Sequence, residues 1–274
     1  LKLSLISYAL RRTVWIAGFL VMIAAFLLQF LALHFGHLTT VQPILTLELP
    51  FLVAILGIWF RQQLTWKEWV GATAATGGLA AFLALSSPSG GNETPDLENW
   101  GLVSFAVIAG GSVAILMTRF GSPVWRAAWF GVAGAIAFAF TAAFIKTMND
   151  EITHGWGHVF LSWPPYAMAA AGLVGTFLAQ NAFHAGPVTA SQSALVIVDP
   201  LASIAIGIGL FGDHVQTGGG RLVGEVLAMG VLSLGVLSLS RSPLVVHVKT
   251  EDGGDAELLR SPRRRGSDTA LESG

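Results

Sequence analysis

Residues 34–58 read HFGHLTTVQPILTLELPFLVAILGI, and residues 184–208 read HAGPVTASQSALVIVDPLASIAIGI. Aligned at a spacing of 150, eight of the 25 positions are identical: His34/His184, Gly36/Gly186, Thr39/Thr189, Gln42/Gln192, Leu45/Leu195, Pro50/Pro200, Gly57/Gly207 and Ile58/Ile208. Apolar residues coincide easily by chance. His, Gln, Thr and Pro are uncommon inside apolar helices, so their coincidence points to an internal repeat. Each copy also carries an apolar run long enough to cross a bilayer core, which takes about 20 helical residues.

Working outward from these two stretches, the same test finds eight segments of spanning length, at 13–34, 38–60, 67–86, 100–118, 124–146, 164–184, 187–211 and 221–240. Composition agrees. Of 274 residues, 53% are apolar and 11% charged, against about a quarter charged in soluble domains, and mean hydropathy is +0.66. The expected fold class is all-α, a polytopic membrane helix bundle with eight transmembrane helices. All nine tryptophans fall at or near segment ends, where an indole prefers the headgroup layer. A net charge of −1 gives no basic field and no expectation of nucleic acid. The absence of cysteine excludes disulfides, thiolate metal sites and thiol catalysis.

Lysine and arginine set the orientation. With the N-terminus inside, 13 of 15 fall on the inner side, leaving Lys146 and Arg221 outside with Glu93, Asp96, Glu98, Asp150 and Glu151. The positive-inside rule then places both ends in the cytoplasm. Residues 1–12 read as a cytoplasmic segment, 13–86 as first-repeat helices, 100–240 as second-repeat helices and 241–274 as a disordered cytoplasmic tail. The chain opens on Leu1 rather than Met, so a piece upstream is expected. Five crossings separate the repeat copies. An odd number reverses direction, making the repeat inverted, an architecture of secondary transporters that alternate access to a midplane site.

The order of residues resembles an EamA-type transporter of the drug/metabolite transporter superfamily. Ala32 to Gly36, the Pro-containing helix through Pro50, Leu64-Thr65 and the Gly-rich helix from Gly71 carry the resemblance in the first half; Gly186-Pro187, Asp199-Pro200, Phe211-Gly212 and Gly224 carry it in the second. The resemblance implies ten helices in two five-helix inverted repeats, or nine in a magnesium-transporting branch, and so one or two helices before Leu1. The family's usual Glu after the Pro-containing helix is replaced by Gln62 and Asp213.

Ionisable residues inside the span need a reason, because an acid near the bilayer centre costs about 2.5–3.5 kcal/mol on insertion scales. Asp199 lies mid-helix, and Gln192, Asp199 and Ser203 fall within about 40° of one another at 100° per residue. Pro200 frees backbone carbonyls beside them. The stripe reads as a substrate, cation or proton site, or as an acid satisfied by a neighbouring helix. Glu48 lies at almost the same depth in the second helix but points away from the Thr39, Gln42, Thr46 stripe unless Pro43 and Pro50 rotate it. Gln42 and Gln192 are pseudo-symmetric partners, for binding or for interhelical hydrogen bonding. Gln180 shares a helix face with Thr176 and His184. Lys146 is expected to snorkel at the outer interface, and Arg221 and Glu225, four apart, to form a helical ion pair. The glycines of the third, fifth and eighth segments are expected to permit close helix approach.

No histidine pair has metal-site spacing with a carboxylate, and P-loop, HExxH and GxSxG patterns are absent. No metal, no cofactor and no enzymatic activity is expected. The reading is a secondary transporter of small metabolites, in a bacterial inner membrane, using Asp199, Gln192, Ser203, Glu48, Gln42 and Gln180. Its partners are a small-molecule or cation substrate, the lipid bilayer and a second copy in a homodimer. The alternatives are a magnesium or other cation transporter of the same superfamily, and a non-transporting scaffold or sensor.

Overall fold

A computed structural model describes residues 13–59, 64–86, 95–153, 156–213 and 220–241. The N-terminal segment 1–12, Gln62 and the tail from 242 onward lie outside the described residues. Those described form helices and no strands. They are α1 (Thr13–Phe35), α2 (Leu38–Leu45), α3 (Glu48–Ile58), α4 (Trp66–Ser86), α5 (Leu97–Met117), α6 (Pro123–Thr153), α7 (Trp156–Leu161), α8 (Pro164–Ala185), α9 (Val188–Phe211) and α10 (Arg221–Ser240).

Seven stretches among the described residues are long and apolar enough to cross a membrane: α1, α2 with α3, α4, α5, α6, α9 and α10. Exposed Leu, Val, Ile and Phe line their outer faces, as suits helices whose surroundings are hydrocarbon. The expected segment at 164–184 is the helix α8. It falls outside that set because Gln180, Asn181 and His184 dilute its apolar content.

The second segment departs from the expectation of one continuous helix. Two helices, α2 and α3, meet at a tight turn at Thr46 and Leu47: both residues keep right-handed helical backbone angles, and their N–H groups donate three residues back, to the Pro43 and Ile44 carbonyls. Pro43 in α2 lacks a backbone N–H and crowds the turn before it, and the Thr46 hydroxyl donates to the Pro43 carbonyl at 2.6 Å. Such a turn winds more tightly than the α-helix on either side of it.

Two helix pairs show how small residues set the packing. A Cβ on Gly78 would strike the backbone of Leu232, and one on Gly235 would strike the backbone of Ala75, so α4 and α10 touch main chain to main chain. Gly131 and Gly134 give α6 the same approach to α9 and α8. Within a bilayer such contacts are what holds helices together, since lipid is as apolar as leucine. Gly77 and Gly230, by contrast, face open space. The N-terminus of α4 is closed by a capping box: Glu68 accepts from the Thr65 backbone N–H.

The buried apolar residues gather in separate clusters. One joins Leu33, Leu38, Trp100, Val103, Phe144, Ile206 and Phe211, from α1, α2, α5, α6 and α9. Another joins Leu49, Val53, Leu79, Phe82, Leu232 and Val236, from α3, α4 and α10. Trp100 corrects the interfacial reading of the tryptophans. Its ring is 8% exposed, stacks on Phe144 at 5.1 Å and takes Trp163 edge-on at 5.0 Å. Trp59, Trp66, Trp69 and Trp125 are exposed at helix ends.

Candidate functional site

The α2–α9 seam carries the polar residues. Thr39, at the start of α2, meets Gly207, near the end of α9: a Cβ on Gly207 would lie 2.8 Å from the Thr39 methyl. The two helices therefore run in opposite senses. Gln42 is one turn along α2 from Thr39 on the same face, and Ser203 one turn back along α9 from Gly207. Asp199 follows one turn further. Gln42 is 3% exposed and Ser203 fully buried.

None of these three groups is satisfied in the ordinary way. Gln42 Nε2, Ser203 Oγ and Asp199 Oδ1 are buried and have no hydrogen-bond partner among the described residues. Serine hydroxyls in helices usually donate back to a carbonyl three or four residues earlier. Ser86, Ser191 and Ser193 do so here, and Ser203 does not. Buried polar groups left unpaired cost about 1–3 kcal/mol each; Asp213 Oδ1 and Glu225 Oε1 also have no hydrogen-bond partner among the described residues.

Glu48, the first residue of α3, is exposed and so is not a member of this buried file, though it lies within electrostatic range of Asp199. Two other expected members do not join it either. Gln180 is exposed on α8, and Gln192 is half-buried two turns before Asp199. Ser193, its neighbour, ties α9 to α10 through a 2.8 Å contact with Ser240.

At the Gly207 end of the seam lies a cluster not expected from sequence. Asp213, two residues past α9, has a side chain with no exposure at all. Its Oδ2 accepts from the Thr39 hydroxyl at 3.0 Å and from the Thr39 backbone N–H at 3.4 Å. His37, the N-cap residue of α2, makes no side-chain cap of its own. Asp213 thus caps α2 from another part of the chain, and a carboxylate suits the positive end of a helix dipole. Its Oδ1 faces His37 Nδ1 at 3.4 Å and Lys146 Nζ at 3.7 Å. Lys146 also sits 4.5 Å over the Phe211 ring. The expectation that Lys146 snorkels into the headgroups is therefore wrong: its side chain is 11% exposed and turns inward to an acid. Gly212 makes the approach possible. Its left-handed φ of 65° ends α9 and folds Asp213 back, with the Asp213 N–H donating to the Gly207 carbonyl at 3.2 Å.

Elsewhere, Arg221 is in electrostatic range of Glu225, as their spacing implies, yet Glu225 Oε1 is buried without a hydrogen bond among the described residues. No group of three or more metal-ligating side chains occurs among the described residues.

Comparison with known proteins adds one relative. The chain is 28% identical over 246 residues to an uncharacterized protein of Corynebacterium glutamicum, covering 88% of this chain and 84% of that one. No family model and no solved structure matches.

Proposed function

We propose that this protein is a secondary transporter working by alternating access, with Asp199 at its substrate or ion site. The observation that carries the reading is the unpartnered, buried Asp199 Oδ1 in the middle of a membrane-length helix. An acid there is costly and is retained where it serves a pathway. Its setting supports the same reading. The facing span winds tightly at Thr46–Leu47, and such irregular turns within helices often mark functional hinges. The repeat copies 34–58 and 184–208 supply the two sides of the seam in opposite senses, as an inverted repeat requires.

Asp199, on one α9 face with Ser203, has a second acid, the exposed Glu48, within its electrostatic range. This lining favours a cation or protonated amine as substrate, or a coupling proton. Lysine and arginine bias puts both chain ends in the cytoplasm of a bacterium, the Asp213 cluster toward the outside, and makes lipid the partner of the outer faces. A superfamily of drug and metabolite transporters, including its magnesium-transporting branch, remains the best fit to the order of motifs.

The test is a thermal-shift screen of purified protein against amines, amino acids and Mg²⁺, followed by flux in proteoliposomes. A ligand that stabilises the parent by mass action, and neither stabilises nor crosses with Asp199→Asn, is the expected outcome. Flux that survives unchanged in Asp199→Asn sinks the site assignment.

A further inference from the structure

The Asp213 cluster has no part in the site just described, yet it holds one wall of that site in place. Helix α2 is eight residues long, joined to α1 through Gly36 and His37 and to α3 through Thr46 and Leu47. Pro43 removes one of its few internal hydrogen bonds. So short a helix is marginal alone and depends on what grips it. At one end is the tight turn at Thr46–Leu47, and a stretch of such winding within a helix often marks a hinge. At the other is the carboxylate of Asp213, which takes both the hydroxyl and the backbone N–H of Thr39 and is itself faced by His37 and by Lys146 from α6. Between turn and grip, buried Gln42 stands one turn on from Thr39, on the face of α2 that meets α9 at Gly207.

We propose that α2 is a gate over the Gln42–Ser203–Asp199 file, hinged at Thr46–Leu47 and latched shut by Asp213 through Thr39 and Lys146. Releasing the latch swings the Thr39 end of α2 from α9 and opens the file from that end of the bundle. The fit at Gly207 gives the latch its closed position: Thr39 and Asp213 fill the space where a side chain would stand, each within 2.8 Å of a Cβ built there. The inference rests on the transport reading for its purpose, but the movement is measurable without any substrate.

The chain has no cysteine, so a single introduced thiol reports cleanly. Ser203→Cys places it under the gate; Ser191→Cys, equally buried but against Gly131 of α6, is the reference. In nanodiscs, the labelling rate with a bulky charged methanethiosulfonate is read with the latch intact and with Thr39→Val or Lys146→Met. Thr39→Val keeps the side chain's shape and deletes one hydroxyl, so it tests the latch even if Lys146→Met lowers yield. Each latch variant is expected to speed labelling at Ser203→Cys by about tenfold or more, the factor that follows from losing a hydrogen bond to a carboxylate in Thr39→Val, or a buried ion-pair partner in Lys146→Met, in an opening equilibrium. Labelling at Ser191→Cys should change by less than about twofold, because that opening is local to α2. Equal acceleration at both thiols, or at neither, overturns the gate. Acceleration at Ser203→Cys alone, in a protein that neither binds nor carries any ligand of the panel, would uphold the gate and defeat the transport reading. Flux lost in Asp199→Asn, with labelling insensitive to both latch variants, would do the reverse.

Discussion

Two aspartates fourteen positions apart should respond in opposite directions to the same change. Asp199 Oδ1 has no hydrogen-bond partner among the described residues, and its charged neighbour is another acid, Glu48. Asp199→Asn removes a charge that costs about 2.5–3.5 kcal/mol to hold at mid-membrane while leaving a polar amide, so only part of that cost returns. A gain of about 1–2 kcal/mol is expected, which raises the midpoint of unfolding by about 2–8 °C for a chain of this size. Asp213 is the opposite case. Its oxygens serve Thr39, His37 and Lys146, and the Lys146 side chain, at 11% exposure, has no easy route to water. Asp213→Asn keeps an acceptor for Thr39 but removes the negative charge that Lys146 and His37 face, and trading charge-assisted contacts for neutral ones costs about 1–3 kcal/mol. The midpoint should fall by about 2–12 °C. The assay is intrinsic tryptophan fluorescence on heating in one detergent, with both variants beside the parent. Loss of stability in Asp199→Asn comparable to that in Asp213→Asn would refute the reasoning, because it would mean that Asp199 is held by a partner and is structural.

The remaining predictions concern packing. Gly207→Ala drives a methyl to 2.8 Å from both Asp213 Oδ2 and the Thr39 methyl, and should destabilise by about 1–3 kcal/mol; Gly230→Ala, with nothing within 4 Å, should be neutral or stabilise by up to about 1 kcal/mol, read in the same melts. Trp100→Ala, which empties the space between Phe144 and Trp163, should cost about 3–5 kcal/mol, whereas Trp59→Ala at an exposed helix end should barely move the melt.

Much of the bundle was legible in the chain because hydropathy over a window of spanning length is a local property. The helix of Pro164–Ala185 and the presence of small residues for close helix approach follow from residues near in sequence; that α4 pairs with α10 does not. What escaped local reading depends on a partner elsewhere. Lys146 looked like a snorkelling cation because it stands at the end of its apolar segment; Asp213, 67 residues on, is the reason it turns in. Asp213 looked like a loop residue displaced from a family position, and its place just past a Gly in an αL turn was the signal that it folds back on its own helix. Glu48 was aimed away from its stripe by ideal-helix geometry, and the structure leaves it exposed. Pro43 gave warning of distortion without saying where the tight turn would fall.

Composition and pattern alone pointed to helices long and apolar enough to cross a membrane, to the approximate position of those segments and to an acid with a polar stripe at mid-helix. These follow from the cost of placing backbone and charge in hydrocarbon, which each segment meets or fails by itself. The tertiary structure decided which face of α9 meets α2, where the second span winds tightly, and that Asp213 closes the end of their seam. Such choices turn on contacts between residues 67 and 174 positions apart, and close backbone approach at Gly207 admits them only once the helices are packed.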